Sequence, residues 1–242
     1  MKTKQTYLGS WLTRPDLGIT EIMAKSGYFD WLTIDLEHSV ISLSQMEDMV
    51  RIIQANNIDA LVRLTENDPI LIKRVLDAGV NGIIVPMVNS ATDVKKAVNA
   101  CFYPPKGVRG VGLARAQNYG LGFKEYKERK QNKIKIIIQI EHVKAVDNIE
   151  EIFAEKNIYG YFVGPYDLSA SLGKAGEFED KKVLESLERV KAAGIKYGIM
   201  SGYHVIEPDK DLIKRKKSEG YTIIGISLDM LFLHRGLGKA FD

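Results

Sequence analysis

The segment Asp30-Trp31-Leu32-Thr33-Ile34-Asp35-Leu36-Glu37-His38-Ser39 joins a short apolar run to a cluster of titratable side chains. An apolar run of strand length that ends in such groups is typical of a barrel strand with a site at its C-terminal end. Alternate side chains of a strand share a face, so Asp35 and Glu37 are expected to point the same way, with His38 at the following turn. A carboxylate beside an imidazole can orient the ring and raise its basicity, as a general base requires. The alternative is a strand capped by solvated polar residues, because so short a motif is not specific.

Apolar segments of strand length alternate with helical patterns on both sides of this stretch. The predicted strands are Tyr7–Trp11, Trp31–Asp35, Ala60–Arg63, Gly82–Pro86, Lys135–Ile140, Gly160–Val163, Lys196–Met200 and Ile223–Ser227. The predicted helices are Asp16–Lys25, Ser44–Ala55, Pro69–Ala78, Ala91–Cys101, Asn148–Ala154, Lys181–Ala193, Pro208–Glu219 and Asp229–Phe241. These strand–helix units predict an α/β fold, a closed (β/α)8 TIM barrel that forms a single domain over residues 1–242. An open doubly wound sheet is the structural alternative.

The segment Phe102–Lys133 interrupts the alternation. Turn-forming residues punctuate it, first Tyr103-Pro104-Pro105-Lys106-Gly107 and then Arg109-Gly110-Val111-Gly112, and a short helix is predicted over Phe123–Arg129. A loop of this length inside a compact domain usually has a function or forms an interface. The glycine pattern also occurs in phosphate-binding loops, but the preceding strand that a dinucleotide fingerprint requires is missing.

The composition is that of an ordinary globular protein: 242 residues, 45% hydrophobic and 27% charged. A formal net charge of +3 indicates neither a nucleic-acid nor a membrane partner. Cys101 is the only cysteine, which excludes an internal disulfide and a cysteine-based zinc site. Residues 1–5 lack the apolar stretch of a signal peptide, so a cytoplasmic location is expected.

Candidate site residues, most of them polar or aromatic, collect near the predicted C-terminal ends of the strands, where the active site of a barrel enzyme lies. They are Trp11, Asp35, Glu37, His38, Arg63, Gln139, Glu141, Pro165, Tyr166, Asp167 and Met200. His204, in the loop predicted after strand seven, could also contact a substrate. Scattered surface polarity is not expected to concentrate in this way, so these residues form the candidate site.

Glu141 and Asp167 are the candidates for a metal site. Gln139 and Glu141 share strand parity, so both can face inward, and Asp167 follows the adjacent strand. Two carboxylates at neighbouring strand ends suit a hard divalent cation whose remaining ligands are water and substrate oxygens. Mg²⁺ or Mn²⁺ fits better than a permanent zinc site, because no His/Cys cluster accompanies them. Alternatively, Asp167 caps the next turn and Glu141 pairs with a surface lysine.

Arg63 lies on an apolar strand, where a guanidinium is costly to bury without an anion. It could bind a substrate carboxylate or an enolate oxygen, or form a structural salt bridge across the barrel mouth. No lysine is predicted at a strand's C-terminal end, since Lys135 and Lys196 stand at strand starts. A Schiff-base aldolase needs a desolvated lysine at the reacting end, so the sequence favours metal-assisted enolisation.

Five motifs in order carry a family resemblance along essentially the whole chain. They are Phe29-Asp30-Trp31 with Ile34-Asp35-Leu36-Glu37-His38, Val85-Pro86-Met87-Val88, Tyr103-Pro104-Pro105-Lys106-Gly107-Val108-Arg109-Gly110-Val111-Gly112, Gln139-Ile140-Glu141, and Gly164-Pro165-Tyr166-Asp167-Leu168-Ser169. In these motifs the chain resembles the HpcH/HpaI family of metal-dependent (class II) pyruvate aldolases. Each motif alone is of moderate specificity, whereas all of them at barrel-compatible spacing are strong evidence.

The resemblance implies a phosphoenolpyruvate/pyruvate-domain-like barrel. It implies reversible cleavage of a 4-hydroxy-2-oxo acid to pyruvate and an aldehyde through a metal-stabilised pyruvate enolate. By motif, Glu141 and Asp167 would bind the divalent metal, Mg²⁺ or Mn²⁺ with Co²⁺ as a further candidate. Arg63 would stabilise the enolate oxygen, and His38, oriented by Asp35, would be the base. The remaining residues would complete the pocket: Glu37 by holding a metal-bound water, Gln139 by supporting the site, and Trp11, Pro165, Tyr166 and Met200 by lining it.

Three residues near the site, Leu36, His142 and Tyr166, differ from those common in the family, so the aldehyde is not predicted. The Phe102–Lys133 segment and the apolar run Met230-Leu231-Phe232-Leu233 indicate subunit contacts, and the resemblance implies a homo-oligomer, a trimer or a hexamer. The alternative functions are an acyl-CoA carbon–carbon lyase, an oxaloacetate decarboxylase, and a barrel that binds a 2-oxo acid without catalysis. The intact set of polar residues argues against the last, because a binding protein has no need of a base.

Overall fold

The computed structural model describes residues 6–241, which form a closed barrel of parallel strands in sequence order. The strands are β1 (Tyr7–Leu12), β2 (Trp31–Asp35), β3 (Asp59–Arg63), β4 (Gly82–Val85), β5 (Lys135–Ile140), β6 (Gly160–Val163), β7 (Met200–Val205) and β8 (Ile223–Leu228). Strand β8 pairs with β1, so the predicted (β/α)8 barrel is confirmed and the open sheet is wrong. Residues 1–5, on which the cytoplasmic expectation rests, lie outside the described residues, and the single domain over 1–242 stays a prediction.

Helices surround the barrel. They are α1 (Leu17–Lys25), α2 (Leu43–Ala55), α3 (Pro69–Asp77), α4 (Ala91–Cys101), α5 (Phe123–Glu125), α6 (Val143–Asp147), α7 (Ile149–Ala154), α8 (Pro165–Ser171), α9 (Lys181–Tyr197), α10 (Lys210–Ser218) and α11 (Asp229–Phe241). Local sequence sets several of their starts: Ser42 forms a capping box with Gln45 at α2, and Asp68 caps α3 ahead of Pro69. Between residues 6 and 241 no helix is both long and apolar enough to cross a membrane.

Strand parity divides the core into two parts. One part lies between the barrel and the helices and includes Val62 and Ile138, whereas the other fills the barrel interior and includes Leu61 and Ile137. Two residues after an inward position, the next side chain points inward again, at the mouth of the barrel. This alternation therefore directs Arg63, and with the same parity Asp35 and Gln139, towards one common space.

The predicted boundary of the seventh strand is wrong by several residues. Helix α9 runs through Gly194 to Tyr197 and ends at Gly198, whose φ of 67° is left-handed, and β7 begins only at Met200. The predicted helix ends at Ala193, just before Gly194, but in the structure Gly194 lies inside the helix and allows close packing. A Cβ at that position would lie 2.6 Å from the ring of Tyr161. The strand that carries residues to the mouth therefore ends at Val205 rather than near Met200.

The segment between α4 and β5 is built around a buried arginine, Arg109. Its guanidinium pairs with Asp77 of α3 and donates a hydrogen bond to the Tyr126 hydroxyl at 2.7 Å. The predicted helix over Phe123–Arg129 is present within a longer helical stretch that continues as a π-helix and a short 3₁₀ turn to Lys133. The arginine of the glycine-rich motif is thus engaged inside the chain.

Candidate active site

The C-terminal ends of the strands surround a cavity of about 290 Å³. It is lined by Trp11, His38, Arg63, Gln139, Glu141, Phe162, Val163, Gly164, Pro165, Tyr166, Asp167, His204 and Ile206. Most of the predicted site residues therefore meet in one place. The exceptions are Asp35, Glu37 and Met200. Asp35 and Glu37 do not line the cavity themselves but contact Arg63, which does. Met200 stands at the start of β7 and pairs there with Gly160. The prediction that Met200 lies at a strand's C-terminal end is wrong, because it depended on the misplaced strand.

Two carboxylates hold Arg63 at the barrel mouth. Its Nε and Nη2 donate to the two carboxylate oxygens of Asp35 at 2.8 and 2.6 Å, and Nη1 lies 3.2 Å from Glu37 Oε2. Asp35 and Arg63 are register partners on adjacent strands, and Asp35 is only 2% exposed. The guanidinium carbon lies 4.7 Å from the ring centroid of Trp11. Arg63 thus forms the structural salt bridge at the barrel mouth and also faces the cavity. The first interpretation is confirmed, and binding of a substrate oxygen stays a prediction.

Asp35 does not orient the imidazole of His38, contrary to the expectation from the motif. Its carboxylate is taken by Arg63, and Oδ1 also accepts the backbone N–H groups of Glu37 at 3.0 Å and His38 at 3.3 Å. The Glu37 carboxylate lies beside the His38 ring, with 3.8 Å between Glu37 Oε2 and His38 Nε2. The His38 side chain is 68% exposed and stands at the rim of the cavity. Asp35 therefore positions His38 through the main chain of the turn.

Glu141 and Asp167 lie beside the same glycine, Gly164. A Cβ at Gly164 would fall 2.9 Å from Glu141 Oε2 and 3.8 Å from Asp167 Oδ2, so glycine preserves the space between the two carboxylates. Glu141 is held from both sides, since Oε1 accepts the N–H of Met87 at 2.6 Å and Oε2 accepts Gln139 Nε2–H at 2.8 Å. Met87 has a left-handed φ of 52°, and such a conformation in a non-glycine residue often marks a functional constraint.

The charges around this pair favour a bound cation. Burial raises the pKa of Glu141 to about 7; the Met87 amide opposes the rise, and repulsion from Glu37 and Asp167 adds to it. Burial also raises the pKa of Glu37, with Arg63 opposing and Asp35 and Asp167 adding. Within residues 6–241 no group of three or more His, Cys, Asp or Glu could hold a metal. Two carboxylates suit an ion such as Mg²⁺ that keeps water or substrate oxygens among its ligands, so Glu141 and Asp167 fit such an ion.

His204 lies on strand β7 and forms part of the cavity wall, whereas it was predicted to lie in the loop after the seventh strand. Its ring packs against Trp11, with the ring centroids 5.4 Å apart, and its Nε2 lies 3.1 Å from the carbonyl oxygen of Ser227. A carbonyl can only accept, so Nε2 carries the hydrogen and Nδ1 of the neutral ring is an acceptor. Burial lowers the pKa of His204 to about 4, and the charge of Arg63 acts in the same direction.

We expect His204 to make the folded protein less stable in mild acid. Between pH 6.5 and about 4 the unfolded chain binds a proton that the folded His204 does not, so the free energy of unfolding falls as the pH is lowered. After allowance for partial exposure, the contribution is about 2 kcal/mol. Urea unfolding of the wild type and of His204→Leu at pH 7 and pH 4.5 measures it. A difference in stability that does not change with pH would contradict the buried, neutral ring.

The three departures from the family pattern lie in different environments. Leu36 is buried in the outer core. His142 is the N-cap of α6, where its Nδ1 accepts the N–H of Lys144 at 3.1 Å. Tyr166 lines the cavity, is 56% exposed and contacts Phe178 edge-on. Of these three, Tyr166 is therefore the residue placed to contact a substrate.

Lysine is missing from the cavity lining among the described residues. Lys135 begins β5 and pairs with Asp59 at the start of β3, as predicted for the far end of the barrel. Lys196 lies within α9 and not at a strand start. The geometry thus agrees with the sequence argument against a Schiff-base site.

A larger cavity, of about 470 Å³, lies near the N-terminal ends of β4 and β5. Its charged lining residues are Arg51, Arg115, Lys130 and Lys133, and it contains none of the predicted site residues. Two of these cations are already paired with carboxylates of the chain, Arg51 with Glu47 and Lys130 with Glu125. Convergence of titratable groups, and not size, therefore identifies the cavity at the opposite end as the candidate active site.

The fold and site define a class: a parallel (β/α)8 barrel enzyme with a carboxylate pair, an arginine and a histidine at its mouth. Such a set suits a reaction in which negative charge develops on a substrate oxygen. Residues 8–234 match the family model described as HpcH/HpaI aldolase/citrate lyase, and the chain belongs to that family.

Relatives of known activity agree with this membership. The 4-hydroxy-2-oxovalerate aldolase of Rhodococcus jostii is 35% identical over 231 residues, which cover 93% of this chain and 86% of that protein. The hydroxypyruvate/pyruvate aldolase of Roseovarius nubinhibens is 33% identical over 232 residues, with 93% and 87% coverage. A solved structure of a family protein from Burkholderia cenocepacia J2315 has a TM-score of 0.92 at 31% identity and covers 98% of this chain and 94% of its own. Aldolases are carbon–carbon lyases, so the predicted enzyme class is confirmed.

Proposed function

We propose that the protein is a class II aldolase that reversibly cleaves a 4-hydroxy-2-oxo acid to pyruvate and an aldehyde with a divalent metal ion. The observation that carries the proposal is the carboxylate pair Glu141 and Asp167 beside Gly164, in the same cavity as Arg63 and His38. The activities named for the Rhodococcus and Roseovarius relatives support this substrate class.

A Mg²⁺ or Mn²⁺ ion held by Glu141 and Asp167 would supply positive charge where the substrate's keto oxygen becomes negative. The chain's own part in this is to keep the ligands in place. Gln139 and the Met87 amide each donate to a different oxygen of Glu141, which fixes the orientation of that carboxylate. Outer hydrogen bonds of this kind typically change metal affinity 10- to 100-fold when they are lost, so Gln139 is a supporting residue of the site.

Arg63 supplies a second, permanent positive charge. Asp35 grips its Nε and Nη2 with the bidentate geometry that guanidinium and carboxylate groups share, so the side chain is oriented before a substrate enters. A donor that is already oriented needs no reorganisation when charge develops on a substrate oxygen. We assign to Arg63 the stabilisation of the enolate oxygen of pyruvate.

His38 is the proposed base. In the cleavage direction it takes the proton of the C4 hydroxyl, the C3–C4 bond breaks to release the aldehyde, and the electron pair remains on the pyruvate part as an enolate. Return of a proton to C3 completes pyruvate. Glu37, 3.8 Å from the imidazole, can stabilise the protonated ring. In the condensation direction the same ring removes a proton from the pyruvate methyl group.

The proposed reaction is tested with 4-hydroxy-2-oxovalerate as substrate and pyruvate as the measured product. We expect pyruvate and acetaldehyde to form with Mn²⁺ or Mg²⁺ and to disappear after EDTA treatment. Oxaloacetate and a 3-hydroxyacyl-CoA thioester are assayed in parallel. Turnover of either of these with no cleavage of hydroxy-oxo acids would replace the proposal by the decarboxylase or the acyl-CoA lyase.

Loss of the base has a separate expected result. His38→Ala lowers cleavage by about 10²- to 10⁴-fold, the usual contribution of a positioned general base. The exposed His234 of α11 provides a matched variant, His234→Ala, that should retain activity. Equal turnover by His38→Ala and His234→Ala would remove His38 from the mechanism.

A further inference from the structure

His204 presents a hydrogen-bond acceptor to the active-site cavity that the proposed reaction does not use. With its hydrogen on Nε2 and directed at the Ser227 carbonyl, the neutral ring keeps a lone pair on Nδ1. Among the described residues nothing donates to Nδ1, and this atom is not among the fully buried polar atoms that lack a partner. His204 lines the cavity, so an accessible Nδ1 without a donor in the chain can accept a hydrogen bond from a molecule bound there.

The surroundings hold the ring in this orientation. Trp11 packs against one side, and Gly225, the register partner of His204 on β8, lies at the ring's Cδ2 edge. A Cβ at Gly225 would come within 2.9 Å of the Trp11 indole nitrogen and 3.4 Å of His204 Cδ2, so glycine makes room for both rings. Ser227, which accepts from Nε2, is fully buried and has a left-handed φ of 53°. The acceptor is therefore fixed before a ligand binds.

The other hydrogen-bond acceptors of the cavity either have another proposed role or differ from His204 in their exposure. Glu141 and Asp167 are the proposed metal ligands, and His38 is the proposed base. Gln139 Oε1 is fully buried, and Tyr166 is largely exposed. Arg63 can only donate hydrogen bonds. Nδ1 of His204 thus differs from these groups as a neutral, positioned and accessible acceptor, and its chemical complement is an O–H donor.

We propose that His204 is a specificity-determining residue whose Nδ1 accepts a hydrogen bond from a hydroxyl group of the substrate. The inference rests on the proposed function, because the substrate of that reaction is what enters the cavity. The hydroxyl can be carried by the 2-oxo acid, as in hydroxypyruvate, or by the aldehyde, as in glycolaldehyde. A substrate with a methyl group there leaves Nδ1 desolvated without a partner, and sites built around a substrate hydroxyl discriminate against such analogues.

The test compares matched substrates with and without the hydroxyl in the condensation direction. One pair is hydroxypyruvate and pyruvate with the same aldehyde, and the other is glycolaldehyde and acetaldehyde with pyruvate. For His204→Leu we expect the ratio of kcat/KM within one pair to fall about tenfold relative to the wild type. His204→Asn, whose amide oxygen can take the place of Nδ1, should recover part of the ratio. The pair that changes identifies which substrate carries the hydroxyl.

His234→Leu makes the same substitution on the exposed face of α11 and should leave both ratios at the wild-type value. Both ratios unchanged in His204→Leu would overturn the inference, while cleavage by the wild type leaves the proposed function standing. No condensation or cleavage by the wild type would instead overturn the proposed function itself. Should His204→Leu not fold, His204→Gln replaces it, because its amide can still donate to the Ser227 carbonyl but offers no acceptor at the place of Nδ1.

Discussion

Asp167→Asn is expected to lower metal-dependent turnover by at least about a hundredfold, because it removes one of the two carboxylates proposed to bind the metal. The substitution keeps the size of the side chain, and Asp167 lies exposed in the first turn of α8, so the fold should tolerate it. The loss should also appear without any turnover, as a weaker affinity for Mn²⁺ in a titration followed by electron paramagnetic resonance.

Asp147→Asn is the matched control for this experiment. Asp147 is a largely exposed carboxylate that faces Arg189 on the helical surface. Its variant should bind Mn²⁺ as the wild type does. Equal Mn²⁺ affinity of Asp167→Asn and Asp147→Asn would contradict the assignment of Asp167 as a ligand, whatever the activity.

Arg63→Met is expected to reduce the free energy of unfolding by about 3–5 kcal/mol, since it leaves the Asp35 carboxylate buried without its counter-charge. Asp35 is 2% exposed and receives two hydrogen bonds from the guanidinium. The double variant Asp35→Asn/Arg63→Met should regain much of this stability, because no unpaired buried charge remains. It should not regain activity, because the positive charge at the mouth is still missing.

Urea unfolding and steady-state kinetics on the wild type, Arg63→Met and the double variant separate the structural role of Arg63 from its proposed role in the reaction. A double variant as unstable as the single one would show that the unpaired charge is not the cause of the instability. Activity restored in the double variant would show that Arg63 serves the fold alone and takes no part in the reaction.

Strand parity explains why much of the site could be predicted from the sequence. Gln139 and Glu141 were expected to face inward together, and they do, with a hydrogen bond of 2.8 Å between them. Because a guanidinium is costly to bury without a counter-charge, an anion was expected beside Arg63, and Asp35 and Glu37 supply that charge. In both cases a local rule about the strand decided the outcome.

Contacts between strands could not be predicted in the same way. The motif predicted the imidazole of His38 as the partner of Asp35, whereas the register of β2 against β3 places Arg63 beside it. The helix predicted over Lys181–Ala193 stops short of Gly194, and the close approach of the Tyr161 ring, which explains this glycine, is a contact with another part of the chain. The late start of β7 then moved Met200 away from the mouth and carried His204 into the cavity wall.

Exchange of the methyl protons of pyruvate in D₂O, followed by NMR, examines proton removal without a choice of aldehyde. With Mn²⁺ or Mg²⁺ we expect the wild type to replace these protons by deuterium, and we expect EDTA or the His38→Ala substitution to stop the exchange. Exchange that persists in EDTA-treated, metal-free protein, or its absence with every metal tried, would contradict a metal-dependent pyruvate aldolase.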